Sequence, residues 1–186
     1  MDLLTGNEGT CAVQLARSAL EEKICGRKAP IPPLTPVFAE KRGVFVTLKE
    51  HGELRGCIGF PYPHLPLGEA IREAAVSAAL QDPRFPPVRA AELPALGVEV
   101  TVLSVPQPMR ADPGKRPGAV EVGRHGLIVR GYGRSGLLLP QVPVEWKWDS
   151  SEFLDHTCIK AGLPAGCWRE AAVEIFTFEG QVFCEE

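Results

Sequence analysis

Val44-Phe45-Val46-Thr47-Leu48, the turn Glu50-His51-Gly52-Glu53, and Leu54-Arg55-Gly56-Cys57-Ile58-Gly59 decide the fold. The first run is β-branched and alternating, the middle is polar and contains glycine, and the third is strand-like again. Together they read as a β-hairpin. Side chains alternate along a strand, which puts Arg55 and Cys57 on one face and Leu54 and Ile58 on the other. A guanidinium beside a thiol favours the thiolate, the form that acts as nucleophile or ligand. Gly56 and Gly59 remove bulk beside the cysteine and let a ligand or another backbone approach. The same spacing also describes a tightly packed strand in which Cys57 is a small hydrophobe.

Before the hairpin, Thr5-Gly6-Asn7-Glu8 has capping-box spacing, and Val13, Ala16, Leu20 and Ile24 recur at helical intervals up to Gly26. This predicts an amphipathic helix over about 8–25, followed by an extended proline-rich connector over 30–36. After the hairpin, 67–81 is an alanine-rich helix ended by Asp82-Pro83, since the residue before proline avoids the α region. Strands follow at 98–104, 127–130 and 137–139, then a helix from Ser150/Ser151 to Lys160, then a last strand or bent pair over 173–183. Short-turned hairpins interspersed with helices predict an α+β fold with a mixed, mostly antiparallel sheet and flanking helices. The expected organisation is one domain over 1–186. Its main lobe comprises roughly 1–60 and 95–186, and a smaller appended lobe covers roughly 61–94.

Composition excludes several function classes. The 186 residues carry a net charge of −3 with 45% apolar and 23% charged residues, ordinary for a globular chain. No run approaches the ~18 apolar residues of a membrane span, and the N-terminus lacks a basic and apolar leader. Mixed charge with a pI of about 5.9 gives no footprint for nucleic acid. Six cysteines in a chain of this length make no disulfide framework, so the expectation is a cytoplasmic protein with reduced thiols. Glycine and proline are the outliers at 19 and 18 residues, and 15 of the prolines lie between Pro30 and Pro117. They mark stiff connectors around the hairpin and second helix.

Two motifs fail their chemistry. Gly131-Tyr132-Gly133-Arg134-Ser135-Gly136 matches GxGxxG, but strand-like Leu137-Leu138-Leu139 follows where a dinucleotide site needs a helix. It reads as a hairpin turn. No CxxC or HxxxH occurs, and His156 and Cys158 diverge by ~200° around a helix, so no metal and no cofactor are expected. Cys158 shares a face with Leu154 and Ala161 and reads as a buried thiol; Cys11, Cys25, Cys167 and Cys184 read as core or surface thiols. In Asp82-Pro83-Arg84-Phe85, Asp82 accepts turn or Arg84 hydrogen bonds, or Arg84 grips an anion. If 139–148 is extended, Gln141, Pro143, Glu145 and Lys147 face one way. Glu145 is then a surface partner of Lys147 or a general base near Cys57. His125 sits on a turn.

These residues resemble the AMMECR-type domain family. Leu54-Arg55-Gly56-Cys57-Ile58-Gly59 is similar to its hallmark motif. Asp82 to Val88, Gly123-Arg124-His125-Gly126, Gly136 to Val142, Phe153-Leu154 with Cys158 to Leu163, and Trp168 follow its further blocks in order. The chain departs from the pattern at Pro143 and at Trp146-Lys147. The resemblance implies an α+β domain whose cleft positions are Arg55, Gly56, Cys57, Gly59, Asp82, Arg84, Phe85, His125, Gln141 and Glu145. It also implies partners, since the compact form is similar to one member of a prokaryotic three-gene set that includes a Memo homologue and a radical SAM protein. The expected function is an enzyme or enzyme subunit acting on a small anionic metabolite or a protein partner. Cys57 would be the nucleophile, with Glu145 or His125 carrying the proton. The alternative is a non-catalytic adaptor docking those partners through the same face.

Overall fold

The computed structural model describes residues 3–185. β1 (Gly43–Glu50) and β2 (Glu53–Phe60) form the expected antiparallel hairpin. The turn residues His51 (φ 52°) and Gly52 (φ 84°) are both left-handed, the two-residue turn whose twist suits the flanking strands. β3 (Leu96–Leu103) pairs antiparallel with the other side of β1, leaving β2 at the sheet edge.

The hairpin is not regular. Leu48 lies opposite Gly56 but Lys49 lies opposite Leu54, so Arg55 is the extra residue of a β-bulge. Downstream of it, Gly56 and Ile58 oppose Leu48 and Val46, and Cys57 opposes Thr47. Upstream, Leu54 opposes Lys49 and so shares the Thr47–Cys57 face. The expected alternation, with Leu54 beside Ile58, is therefore corrected: one inserted residue reverses the facing of everything before it.

The chain divides into two compact units, Met1–Leu103 with Gln181–Glu186, and Ser104–Gly180. In the first, α1 (Gly6–Cys25) begins with the Thr5–Glu8 capping box and ends at Gly26, φ 66°. α2 (Leu67–Leu80) packs on β1 and β2, and α1 packs on α2 and β3. The helices cover the face carrying Val44, Val46, Leu48, Val98, Val100 and Val102, all buried. The buried face of α2 includes Ala70, Ala74, Ala75, Ala78 and Ala79, short side chains that let the helix axis come close to the strands. Residues 61–94, expected as an appended lobe, therefore include a helix that belongs to the core of this unit.

The second unit has its own core, with Leu127, Val129, Phe153, Leu154, Trp168 and Ile175 at its centre. It contains β4 (Gln107–Pro108), β5 (His125–Gly131), β6 (Arg134–Leu138), α3 (Gln141–Trp146) and α4 (Ser150–Lys160). β7 (Glu174–Cys184) is one continuous strand whose first part lies here and whose last residues belong to the first unit. β5 pairs antiparallel with β6 and β7, and β4 pairs antiparallel with β7. The GxGxxG segment is the hairpin turn expected, with Tyr132 at φ 53° and Gly133 at φ 72° between β5 and β6.

Two expectations are overturned here. Residues 141–146 are helical rather than extended, because Pro140 and Pro143 fit a first helical turn, whose N–H groups need no intrahelical acceptor. Cys158 and Cys167 are joined in a disulfide rather than free, with their Cα atoms 6.1 Å apart. Left-handed Gly162 and Gly166 turn the chain back on α4 and bring the two together. The fold is α+β, as the interspersed elements predicted. Among the described residues no helix is long and apolar enough to cross a membrane.

Candidate functional site

At the centre of β2 the backbone of Cys57 faces away from β1 and is met by the segment that follows α2. The Cys57 N–H donates to Asp82 Oδ2 (2.9 Å), and Arg84 Nη2 reaches the Cys57 carbonyl (3.4 Å). Asp82 also accepts from the Arg84 backbone N–H (3.1 Å), Nε (2.9 Å) and Nη2 (2.7 Å). An acid and a base two residues apart thus close the exposed strand edge where another strand would otherwise add. Asp82 is buried, and the Arg84 guanidinium, with help from the two backbone donors, holds its carboxyl far below the ordinary range. A carboxylate engaged by four donors has no lone pair free for proton transfer. Arg84 is 53% exposed and keeps its charge within reach of solvent.

Arg55 is buried, and its Nε (3.2 Å) and Nη2 (2.9 Å) donate to Glu92 Oε1. Its Nη1 is buried without a partner. The guanidinium carbons of Arg55 and Arg84 lie 6.0 and 5.5 Å from the centre of the Phe85 ring. Arg55 is therefore committed to a carboxylate. Arg84 is raised first by its bond to Asp82, with a smaller contribution from Cys57. Lys49 is raised first by its bond to Glu99 (2.9 Å), with Cys184 and Cys57 contributing less. The half-buried Cys57 sulfur accepts from the Thr47 hydroxyl (3.3 Å).

Gly56 and Gly59 make room for protein rather than for empty space. A Cβ on Gly56 would stand 2.2 Å from the Ala78 carbonyl oxygen, and one on Gly59 2.5 Å from the Phe45 ring. These two glycines set how closely α2 and β1 approach β2.

The remaining candidates lie in the second unit. His125 opens β5, half-buried, and its Nδ1 accepts from the Glu121 N–H (3.1 Å), which leaves Nε2 to carry the proton of the neutral ring. Gln141 and Glu145 are exposed and four residues apart on α3, so they share a face despite the change from extended to helical geometry. Glu145 forms no ion pair with Lys147 among the described residues; Lys147 is the left-handed cap of α3.

The family model AMMECR1 matches residues 13–183. The chain belongs to the AMMECR1 family. It is 54% identical over 188 residues to a Methanopyrus kandleri protein, covering 98% of this chain and 91% of that one. A Methanosarcina acetivorans protein is 52% identical over 189 residues, covering 99% and 94%. The crystal structure of an uncharacterized protein from Pyrococcus horikoshii matches with a TM-score of 0.87 at 47% identity, covering 100% of this chain and 95% of that one. In this chain Leu54-Arg55-Gly56-Cys57-Ile58-Gly59 is the bulged edge strand, with Asp82 and Arg84 closing it.

Sequence reading missed Glu92 and Thr47, the partners of Arg55 and Cys57. Arg89 and Glu92 at i,i+3 signal a local ion pair, and the structure contains it. Nothing in the spacing announces that Glu92 also reaches Arg55. Also missed is a ring stack in the second unit. Trp146 and Trp148 are 6.0 Å apart at 17°, and Trp148 lies 3.8 Å from His156 at 6°.

Proposed function

We propose that the protein is an enzyme, or a subunit of one, that presents the Cys57 thiol to a small anionic ligand gripped by Arg84. The observation that carries this reading is the pair of guanidinium groups beside Phe85. Arg84 is half-exposed and Arg55 has a buried Nη1 with no acceptor, next to the strand that carries Cys57. Arg84 keeps its charge within reach of solvent, where an anionic oxygen can meet it, while Arg55 is already bound to Glu92. In this reading Cys57 is the nucleophile, Arg84 the anion grip and Arg55 the positioning residue for Phe85.

The test is alkylation by iodoacetamide, mapped by mass spectrometry at Cys57, Cys11, Cys25 and Cys184. Cys57 is expected to react fastest, to be protected by phosphate, pyrophosphate or a dicarboxylate, and to lose that protection in Arg84→Ala. A Cys57 no faster than Cys184 and unprotected by any of these anions refutes the reading.

A second reading is an adaptor that docks a Memo homologue and a radical SAM protein. What favours it is Leu54, an apolar residue at the start of the hallmark motif that stands 42% exposed on an edge strand. Co-purification with those two partners, lost on Leu54→Asp and kept on Cys57→Ser, supports it; co-purification unaffected by Leu54→Asp removes it.

A further inference from the structure

Away from Cys57, α1 and α2 are separated on their outer side by two adjoining clefts. One, of about 790 Å³, has a floor of Leu15, Phe38 and Gly68 and a rim formed by Ile31 and Leu34 of the proline-rich connector. The other, of about 770 Å³, runs on between the same helices past Ala19 and Val76. Arg72 and Glu73 line both, so the two form one elongated groove. Ile31 is 58% and Leu34 43% exposed, so the rim presents two neighbouring large apolar side chains to whatever enters the groove.

The polar groups in the groove restrict what can occupy it. Arg72 spans from α2 to α1, where its Nη2 donates to Glu22 (2.7 Å), and its Nη1 is buried with no acceptor. Glu69 and Glu73, both exposed on α2, make no ion pair among the described residues. Arg72 is neutralised by Glu22, and Lys23 lines the second cleft. Against these two cations the groove carries Glu22, Glu69 and Glu73, so it stays net negative by one charge and disfavours an anionic ligand. A peptide supplies apolar side chains for Leu34 and Ile31 and basic side chains for Glu69 and Glu73.

We infer that the α1–α2 groove docks a basic amphipathic segment of a partner protein, its apolar face on Ile31 and Leu34 and its Lys or Arg side chains on Glu69 and Glu73. This goes beyond the proposal for Cys57 and does not depend on it. An elongated groove with an apolar floor and charged rim is the common geometry for such recognition.

The test is fluorescence anisotropy on the full chain with a labelled 18-residue amphipathic Leu/Lys peptide and its Leu/Glu counterpart of the same apolar pattern. Saturable one-to-one binding of the Leu/Lys peptide is expected, with the Leu/Glu peptide much weaker. Glu69→Gln/Glu73→Gln should weaken binding about tenfold, and Leu34→Asp should do at least as much; unchanged thermal melts show that these surface variants fold. Equal binding of both peptides, or affinity indifferent to the two variants, overturns the inference. So does calorimetric binding of decanoate that is lost in Arg72→Gln, which makes the groove an anionic-amphiphile site. Sedimentation of the chain as a dimer that Leu34→Asp dissociates overturns it in favour of a second copy.

Discussion

Removing Asp82 tests whether the acid is the keystone of the strand edge or a working proton carrier. Its side chain is 2% exposed and accepts from the Cys57 N–H and from three donors of Arg84. In Asp82→Ala the Cys57 N–H loses its acceptor, at a cost of about 1–3 kcal/mol. The Arg84 charge adds less, because that side chain is half-exposed and water takes it up. The expected loss is about 3 kcal/mol, with Asp82→Asn near ~1.5 kcal/mol because one carbonyl oxygen still serves Cys57. The pH dependence fixes the mechanism. The folded carboxyl lies below its unfolded value, so its contribution is full above about pH 4 and is lost as pH falls through the folded value. Urea unfolding at pH 7, 4 and 2.5 should show the gap between wild type and Asp82→Asn narrowing at the acid end, with faster amide exchange at Cys57 in Asp82→Ala. A gap constant across that range, or an Asp82→Ala cost below about 1 kcal/mol, refutes the reasoning.

Gly56→Ala drives a methyl to 2.2 Å from the Ala78 backbone oxygen, which no rotamer relieves, and should cost about 3 kcal/mol in a thermal or urea melt. Reducing the Cys158–Cys167 disulfide releases a short loop of sequence separation nine and should cost about 2.5 kcal/mol by the chain-entropy relation, read as a dithiothreitol-dependent shift in urea midpoint that is absent in Cys158→Ala/Cys167→Ala.

The parts of this fold that local patterning controls were legible: the capping box at Thr5–Glu8, the strand–turn–strand at 44–59, the helix stopped by Asp82-Pro83 and the hairpin turn at Tyr132-Gly133. What sequence did not give is what depends on a single inserted residue or on a distant partner. The Arg55 bulge leaves no compositional trace, since its strand reads as regular alternation. The disulfide depends on where Gly162 and Gly166 return the chain, and nine residues of spacing alone allow many separations. For 140–146, two prolines and alternating apolar residues suit an extended segment and a short helix about equally. The helix forms with Pro143 buried and Trp146 exposed.

The bulge also redistributes the work of the two arginines. Had β2 alternated regularly, Arg55 would stand beside Cys57 on one face, and its charge would be the natural companion of the thiol. The inserted position instead gives Arg55 no partner residue on β1, and Glu92 binds the guanidinium through two N–H groups. Arg84, held by Asp82 across the edge of the same strand, is the half-exposed cation that reaches the Cys57 backbone carbonyl. Substituting Arg84 should therefore alter anion protection of Cys57 directly. Arg55→Met should act through Phe85 and through the Glu92 carboxylate it leaves without its main partner, lowering stability as well as protection. A stable Arg55→Met variant that loses protection while Arg84→Ala keeps it would restore the regular-strand assignment of roles.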